Sequence, residues 1–528
     1  MVPLEGRDFL MAGGRLAGTQ PRMSRRGVLG AAALACAFSS RSAVASPASG
    51  GHLRFAGLVG SAADTLDPAR MAVGNDFIRG RSFYDGLVAL DDQLAVHPAL
   101  ATRIESDDFV TWHLTLRRGV TFHDGKPFTA ADVVYSLSRQ RDPAVASQQQ
   151  FFARDMAEIR AVGPYEVRIV LEEPNIGFPS ILALDSFAIT RDGTTDFATA
   201  NGTGPFICTE FRPGIVTTGR RNPAYWGVAP GVDTFSLIAI PDDMSRHDAL
   251  LSGDVDVIGS ANPRLVRLLR EHGFGIIESP VGSYTNLGLR LDRVPGSSRD
   301  FVEGVKYLFN REQVRDSVFL GFARIGNDHP VPPEDPDYAA DLPLREYDPE
   351  RASYLIRKSG FAEADPALFC SPAALASADI AVVLQYAAQK AGIGMTIRRM
   401  PVDGYWSQYW MRMPMSFGNT NARPSLDIAF AQSFASRAPM NESRWSDPRF
   451  DQLLLQARRE RDGGRRRQIC HDMQAMIRDE AGICIPAFTT SLDAFSARVR
   501  GLRPDRAGQL MGYNFLRHVR LADDGAPA

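Results

Sequence analysis

The sequence predicts an α/β protein of two or three domains, and three observations carry that expectation. Short runs with a period of two alternate with capped amphipathic helices, as over residues 111–139 and 379–399. The 528 residues are 44% hydrophobic and 23% charged, values of a globular chain long enough for several large cores. Beyond residue 45 no stretch has the ~20 apolar residues that a permanent bilayer helix needs.

The elements follow in order. Leu53, Phe55 and Leu58 mark an apolar strand over 53–60. Trp112, Leu114 and Leu116 alternate with His113, Thr115 and Arg117, which predicts a half-buried strand. Val120 and Phe122 resume the apolar face, and Asp124-Gly125 is a turn signal. Thr129 precedes Asp132 at capping-box spacing, with Val133, Val134 and Leu137 on one helical face. His123 beside Asp124 suggests a catalytic pair, but neighbours on a strand point apart, so a turn role is expected. Val167, Ile169 and Leu171 form a further strand, and 244–251 a helix followed by a strand through Val255, Val257 and Ile258. Asp348-Pro349 opens a helix that Gly360 closes. The helix over 379–391 and the strand over 395–399 form a βα unit of the parallel-sheet kind. Asp447-Pro448 caps another helix, and Asp462-Gly463-Gly464 separates it from the next, where Arg465, Arg466 and Arg467 read as a solvated face.

Net charge is −2, and the six arginines of residues 1–45 against Glu5 and Asp8 make the remainder more acidic still. That argues against nucleic acid, whose binding needs a basic footprint. Ser24-Arg25-Arg26 before the apolar run 28–38, with Ala43-Val44-Ala45 after it, predicts a twin-arginine signal peptide over 1–45, with Met23 as an alternative start. The rival is a lipid anchor on Cys36, which Ala33-Leu34-Ala35 fits poorly. The expectation is therefore a soluble periplasmic protein. Cys208, Cys370, Cys470 and Cys484 are too few and too scattered for a disulfide scaffold, though Cys470 and Cys484 could pair, and no metal-ligand spacing occurs.

The string from Tyr84 to Arg139, with YDGL, HPALA, LRRGVTFHDGKPF and TAADVVYSL, resembles the family 5 extracellular solute-binding proteins of ABC importers, the dipeptide-, oligopeptide- and nickel-binding type. Leu66-Asp67-Pro68, the GTGPF run 202–206 and Arg221-Asn222-Pro223-Ala224-Tyr225-Trp226 resemble further stretches of that family. The GTGPF run lacks the Lys-Ser/Thr ending of a phosphate loop, which favours a structural role. The resemblance implies a two-lobed periplasmic-binding-protein clamshell (type II), with mixed sheets flanked by helices. Lobe I would be 46–278 plus 482–528, with an extra subdomain over about 75–200, and lobe II 279–481. Crossings near 278–283 and 482–486 would form the hinge.

The implied activity is capture of a small solute, a peptide or modified amino acid, and its delivery to permease subunits in the inner membrane by a monomer without cofactor or metal. An exported hydrolase is the alternative, but GxSxG and HExxH are absent. A chemosensory or chaperone-like binder would use the same fold. In peptide-binding relatives a W-x-x-D after a strand supplies the carboxylate for the peptide amino group. Matching Asp427 to the strand aspartate puts Ser433 and Ser436 at the Trp and Asp positions, which weakens the case for ordinary peptides. Arg423 and Arg437 with Asn419, among Tyr405, Trp406, Tyr409 and Trp410, suit an anionic or amphipathic solute instead. Resemblance adds Met71, Asn75 and Tyr284. The candidate ligand-binding set is Met71, Asn75, Tyr284, Trp406, Asn419, Arg423, Phe434, Ser436 and Arg437. Met411, Met413 and Met415 read as gap fillers rather than a soft-metal site.

Overall fold

The computed structural model describes residues 50–58 and 60–522, so the export signal and Cys36 lie outside the described residues. An eleven-stranded mixed sheet runs through the molecule. Its axis is the antiparallel pair Gly275–Leu289 and Ile483–Phe495, matched from Gly275 opposite Phe495 to Gly288 opposite Ile483. At the Phe495 end the sheet continues through Val257–Ile258, His52–Gly57, Thr234–Ala239, Val216–Arg221 and Phe206–Arg212. At the other end it continues through Met415–Thr420, Ala367–Cys370 and Thr396–Arg399. Two long strands therefore join two sheet halves, each with its own covering of helices.

The capping chemistry determines where the helices start. The Asp348 carboxylate accepts from the Arg351 N–H at 2.8 Å and Pro349 sets the first turn, so the helix Pro349–Lys358 buries Ala352, Leu355 and Ile356. Gly360, with φ +81°, lets the chain leave that helix. Ser377–Lys390 links the parallel strands Ala367–Cys370 and Thr396–Arg399 as the expected βα unit. Asp447 and Asp462 cap Pro448–Arg459 and Gly463–Glu480. Two expected strands shrink: the one through 255–258 is only Val257–Ile258, and the run at Val120–Phe122 is reduced to a bridge between Thr121 and Pro127.

A separate four-stranded antiparallel sheet holds Ala101–Glu105, Thr111–Leu116, Glu166–Leu171 and Met156–Gly163. Trp112, Leu114 and Leu116 point inward there, as the alternation requires. The helix Ala130–Arg139 opens with the Thr129 N–H donating to the Asp132 carboxylate at 2.7 Å. His123 and Asp124 are structural. The imidazole sits 3.1 Å from the Gly204 carbonyl, and the carboxylate accepts from Lys126 N–H and Arg191.

The family-like motifs converge on one buried carboxylate. Asp85 accepts from Thr203 Oγ1 at 3.0 Å, Trp226 Nε1 at 2.8 Å, the Tyr225 hydroxyl at 3.3 Å and Arg517 at 2.8 Å. YDGL, GTGPF and the Tyr225-Trp226 element are thus tied to each other and to the C-terminal segment. The cysteines Cys208, Cys370, Cys470 and Cys484 are free. No helix among the described residues is long and apolar enough to cross a membrane.

Candidate functional site in the cleft

Tyr284 lies directly opposite Thr420 on the antiparallel pair Gly275–Leu289 and Met415–Thr420, so both side chains enter the same space. After Thr420 the chain leaves the sheet through Asn421, Ala422 and Arg423. Pro424 and the capping Ser425 then start a helix, Leu426–Ser433. Tyr284, Thr420 and Arg423 line a tight cavity of ≈ 30 Å³ with Pro280, Pro332, Glu334, Asp335, Leu94 and Arg506. A second cavity of ≈ 260 Å³ shares Leu94, Asp335, Ser425, Leu426 and Arg506 with it, so the two lie side by side in one cleft.

The walls come from distant parts of the chain. Asn175 Nδ2 donates to Asp427 at 3.2 Å, and the Ile176 N–H donates to the Arg458 carbonyl at 2.9 Å. Arg506 donates to Asp335 at 3.2 Å. These bonds hold residues 175–176 and 506 against the stretch 335–458.

The charges in the tight cavity are unequal. Glu334 pairs with Arg324 at 2.7 Å and Asp335 with Arg506, so both carboxylates are answered within the protein. Arg423 is different. Its Nε is sealed from solvent without a hydrogen-bond partner, and its Nη2 reaches only the Met440 sulfur at 3.6 Å. Burial lowers its pKa, which measures the cost of keeping that cation without a carboxylate. Burial likewise raises the Tyr284 phenol, leaving it a neutral hydroxyl beside Arg423. Arg423 as a residue is half-buried, and a guanidinium placed so matches an incoming carboxylate or other anion in charge and in its paired donors.

The candidate residues fall into two groups. Tyr284 and Arg423 line the tight cavity. Asn419 does not: it lies opposite Thr285, on the other face of the strand from Thr420, with its Oδ1 buried and unpartnered. The others line neither cavity. Met71 is packed in a core with Leu53 and Phe55, and Asn75 is buried against Gly57. Trp406 is half-exposed beside Trp410, and Phe434 is core. The Ser436 N–H donates to Asp451, and Arg437 is exposed.

The match of Asp427 to a strand aspartate is overturned, since Leu426–Ser433 is a helix. It is capped by Ser425, with Asp427 in the first turn bound to Arg458 and Asn175. A short apolar run fits strand and helix alike, and the cap decides here. Glu334, Asp335 and Arg506 escaped the sequence reading. The proline-rich run 330–336 marks a loop but no binding role, and nothing local links it to Arg506.

The profile of the bacterial extracellular solute-binding proteins, family 5 Middle, matches residues 95–442, and the chain belongs to this family. It is 25% identical to the dipeptide-binding protein of Escherichia coli (strain K12) over 458 residues, 78% of this chain and 85% of the relative. It is 26% identical to the glutathione-binding protein GsiB of the same strain over 347 residues, 63% of this chain and 64% of that one. Among solved structures, DppA from Helicobacter pylori in complex with peptide STSA superposes with TM-score 0.80 at 24% identity, covering 90% of this chain and 99% of that chain. NikA from Staphylococcus aureus in complex with Ni(L-His)2 gives 0.77 at 18%, covering 89% and 100%. The fold is thus the two-lobed one of periplasmic binding proteins, and the family is one of binding proteins rather than enzymes.

Proposed function

We propose that this protein is the receptor of an ABC importer for a small solute carrying an anionic group, and that Arg423 is the counter-ion for that group. The single observation behind this is the half-buried Arg423 on the wall of the tight cavity, whose sealed Nε has no hydrogen-bond partner while Glu334 and Asp335 on the same cavity have theirs. A cation partly withdrawn from water without a carboxylate is held at a cost, and an incoming anion removes that cost. Tyr284 and Thr420 would orient the group.

The family's W-x-x-D spacing, moved onto the strand that exists, falls on Phe417 and Thr420. Thr420 supplies no carboxylate for an α-ammonium, which speaks against ordinary peptides and for solutes whose amino group is blocked or absent. Lobes at 46–278 plus 482–528 and 279–481 would close by bending across the strands Gly275–Leu289 and Ile483–Phe495. In this reading the protein is a monomer, exported to the periplasm by the twin-arginine route, and hands the solute to permease subunits.

Native mass spectrometry of mature protein from its host, followed by denaturation, tests the reading. An anionic small molecule released from wild type and absent from Arg423→Gln supports it. A ladder of free peptides, or the same adduct on Arg423→Gln, overturns it.

A further inference from the structure

The wider cavity bears on what the rest of the solute is. It adjoins the tight one, and its surface is largely apolar, with Ile176, Pro336, Leu426, Phe430, Leu454 and Ala457 on its walls. Its charged groups are mostly bound to other protein atoms. Asp427 is held by Arg458 and Asn175, Asp337 by Arg467, and Asp335 by Arg506. Arg466 donates to the Glu460 carbonyl at 2.9 Å. Cys470 is a buried thiol whose pKa burial pushes up to about 12, so it stays neutral there.

We infer that the cleft is built for an amphipathic acid: a solute whose carboxylate or equivalent anion docks at Arg423 and whose aliphatic or aryl part fills this second chamber. The inference rests on the anionic reading of Arg423 and adds the apolar part. Volume supports the division. About 30 Å³ beside Arg423 admits little more than a small polar group, whereas ≈ 260 Å³ next door approaches the size of a ligand pocket. Adjacency supports it too, since Leu94, Leu426 and Arg506 border both spaces. Water in an apolar chamber of this kind is readily displaced by hydrocarbon, and the gain grows with the area covered.

Calorimetric titration with N-acetylglycine and N-acetylphenylalanine tests this, because the two share a carboxylate and a blocked amine and differ in one aryl group. Wild type should bind the phenylalanine derivative about 10- to 100-fold more tightly, the range for burying such a side chain. Ala457→Phe, which fills the chamber, and Ile176→Asp, which charges a half-buried wall residue, should each abolish that preference and spare N-acetylglycine. The second variant covers the case in which the first fails to fold. Equal affinities in wild type, with both lost in Arg423→Gln, would overturn the amphipathic inference and leave the anionic reading standing. Tighter binding of N-acetylaspartate than of N-acetylphenylalanine would also overturn it, by giving Arg466 a ligand anion. Binding that survives Arg423→Gln, or no binding of any of these acids, would overturn both.

Discussion

Arg506 and Asp335 meet at 3.2 Å where the tight cavity adjoins the wide one, although 171 residues separate them. The Arg506 backbone is itself fixed, its N–H donating to the Asp92 carbonyl at 3.1 Å. Burial raises the pKa of Asp335 even beside this partner. The pair therefore bridges two walls of the cleft, beside the apolar core that already gathers Trp112 and Phe178 with Phe430 and Phe450.

Removing this pair should shift the population toward open forms. Arg506→Ala is expected to weaken binding of the copurified solute about tenfold, the worth of one hydrogen-bonded charge pair. Small-angle scattering of ligand-free protein should show a larger radius of gyration than wild type. An unchanged radius together with unchanged affinity would mean that the pair does not bear on closure.

The Asp85 cluster predicts a different phenotype. Asp85→Ala strands Arg517, Tyr225, Trp226 and Thr203 around a missing acceptor. The loss should be about 3–5 kcal/mol, as for one partner removed from a buried pair. Denaturant melts should show it clearly. Because Asp85 lines neither cavity, the folded fraction should bind the solute as wild type does. A stable variant with lost binding would place Asp85 in the site and refute the structural role.

Glu442 gives a pH test. It is buried, accepts from Asn286 Nδ2 at 2.9 Å and lies beside the Trp410 indole. Desolvation raises its pKa from 4.5 to about 7. Between those values the folded state holds a proton that the unfolded chain releases. Stability therefore falls as pH rises through this window, and the effect is complete above pH 7. Glu442→Gln lacks this contribution, so its stability relative to wild type should rise by up to about 3 kcal/mol between pH 4 and 8. Asp493, also pushed up to about 7, keeps its own slope in both proteins, so the difference isolates Glu442. Parallel curves in urea melts at both pH values would sink the assignment.

Much of the fold was legible because local chemistry specifies it. Asp348-Pro349, Asp447-Pro448 and Thr129 with Asp132 are caps whose geometry needs no tertiary partner. Trp112, Leu114 and Leu116 declare their face by period alone. Of the expected site residues, Tyr284 and Arg423 are the two that line a cavity. Leu426 to Ala431 misled because an apolar run without alternation carries no period to distinguish helix from strand. The match of Asp427 to a strand position is what placed Ser433 and Ser436 at the Trp and Asp positions, and it does not hold on a helix. Asp335 and Arg506 were invisible, because their pairing exists only once distant parts of the chain have folded together.

Thr420 offers the most direct control of specificity. It ends the strand Met415–Thr420, opposite Tyr284, and lines the tight cavity with Arg423. Thr420→Asp would place a carboxylate where peptide-binding relatives are expected to have one. It would also give Arg423 a partner, and these effects act in the same direction. The resident anion would lose its counter-ion to the introduced carboxylate and bind at least about tenfold more weakly, while an α-ammonium would gain a charge partner. Titration with free and N-acetylated forms of one dipeptide should show the preference reverse, from the acetylated form in wild type to the free form in the variant. A wild type that already prefers the free dipeptide would show that the amino group is read elsewhere in the cleft, and Thr420 would then have no part in selecting the solute.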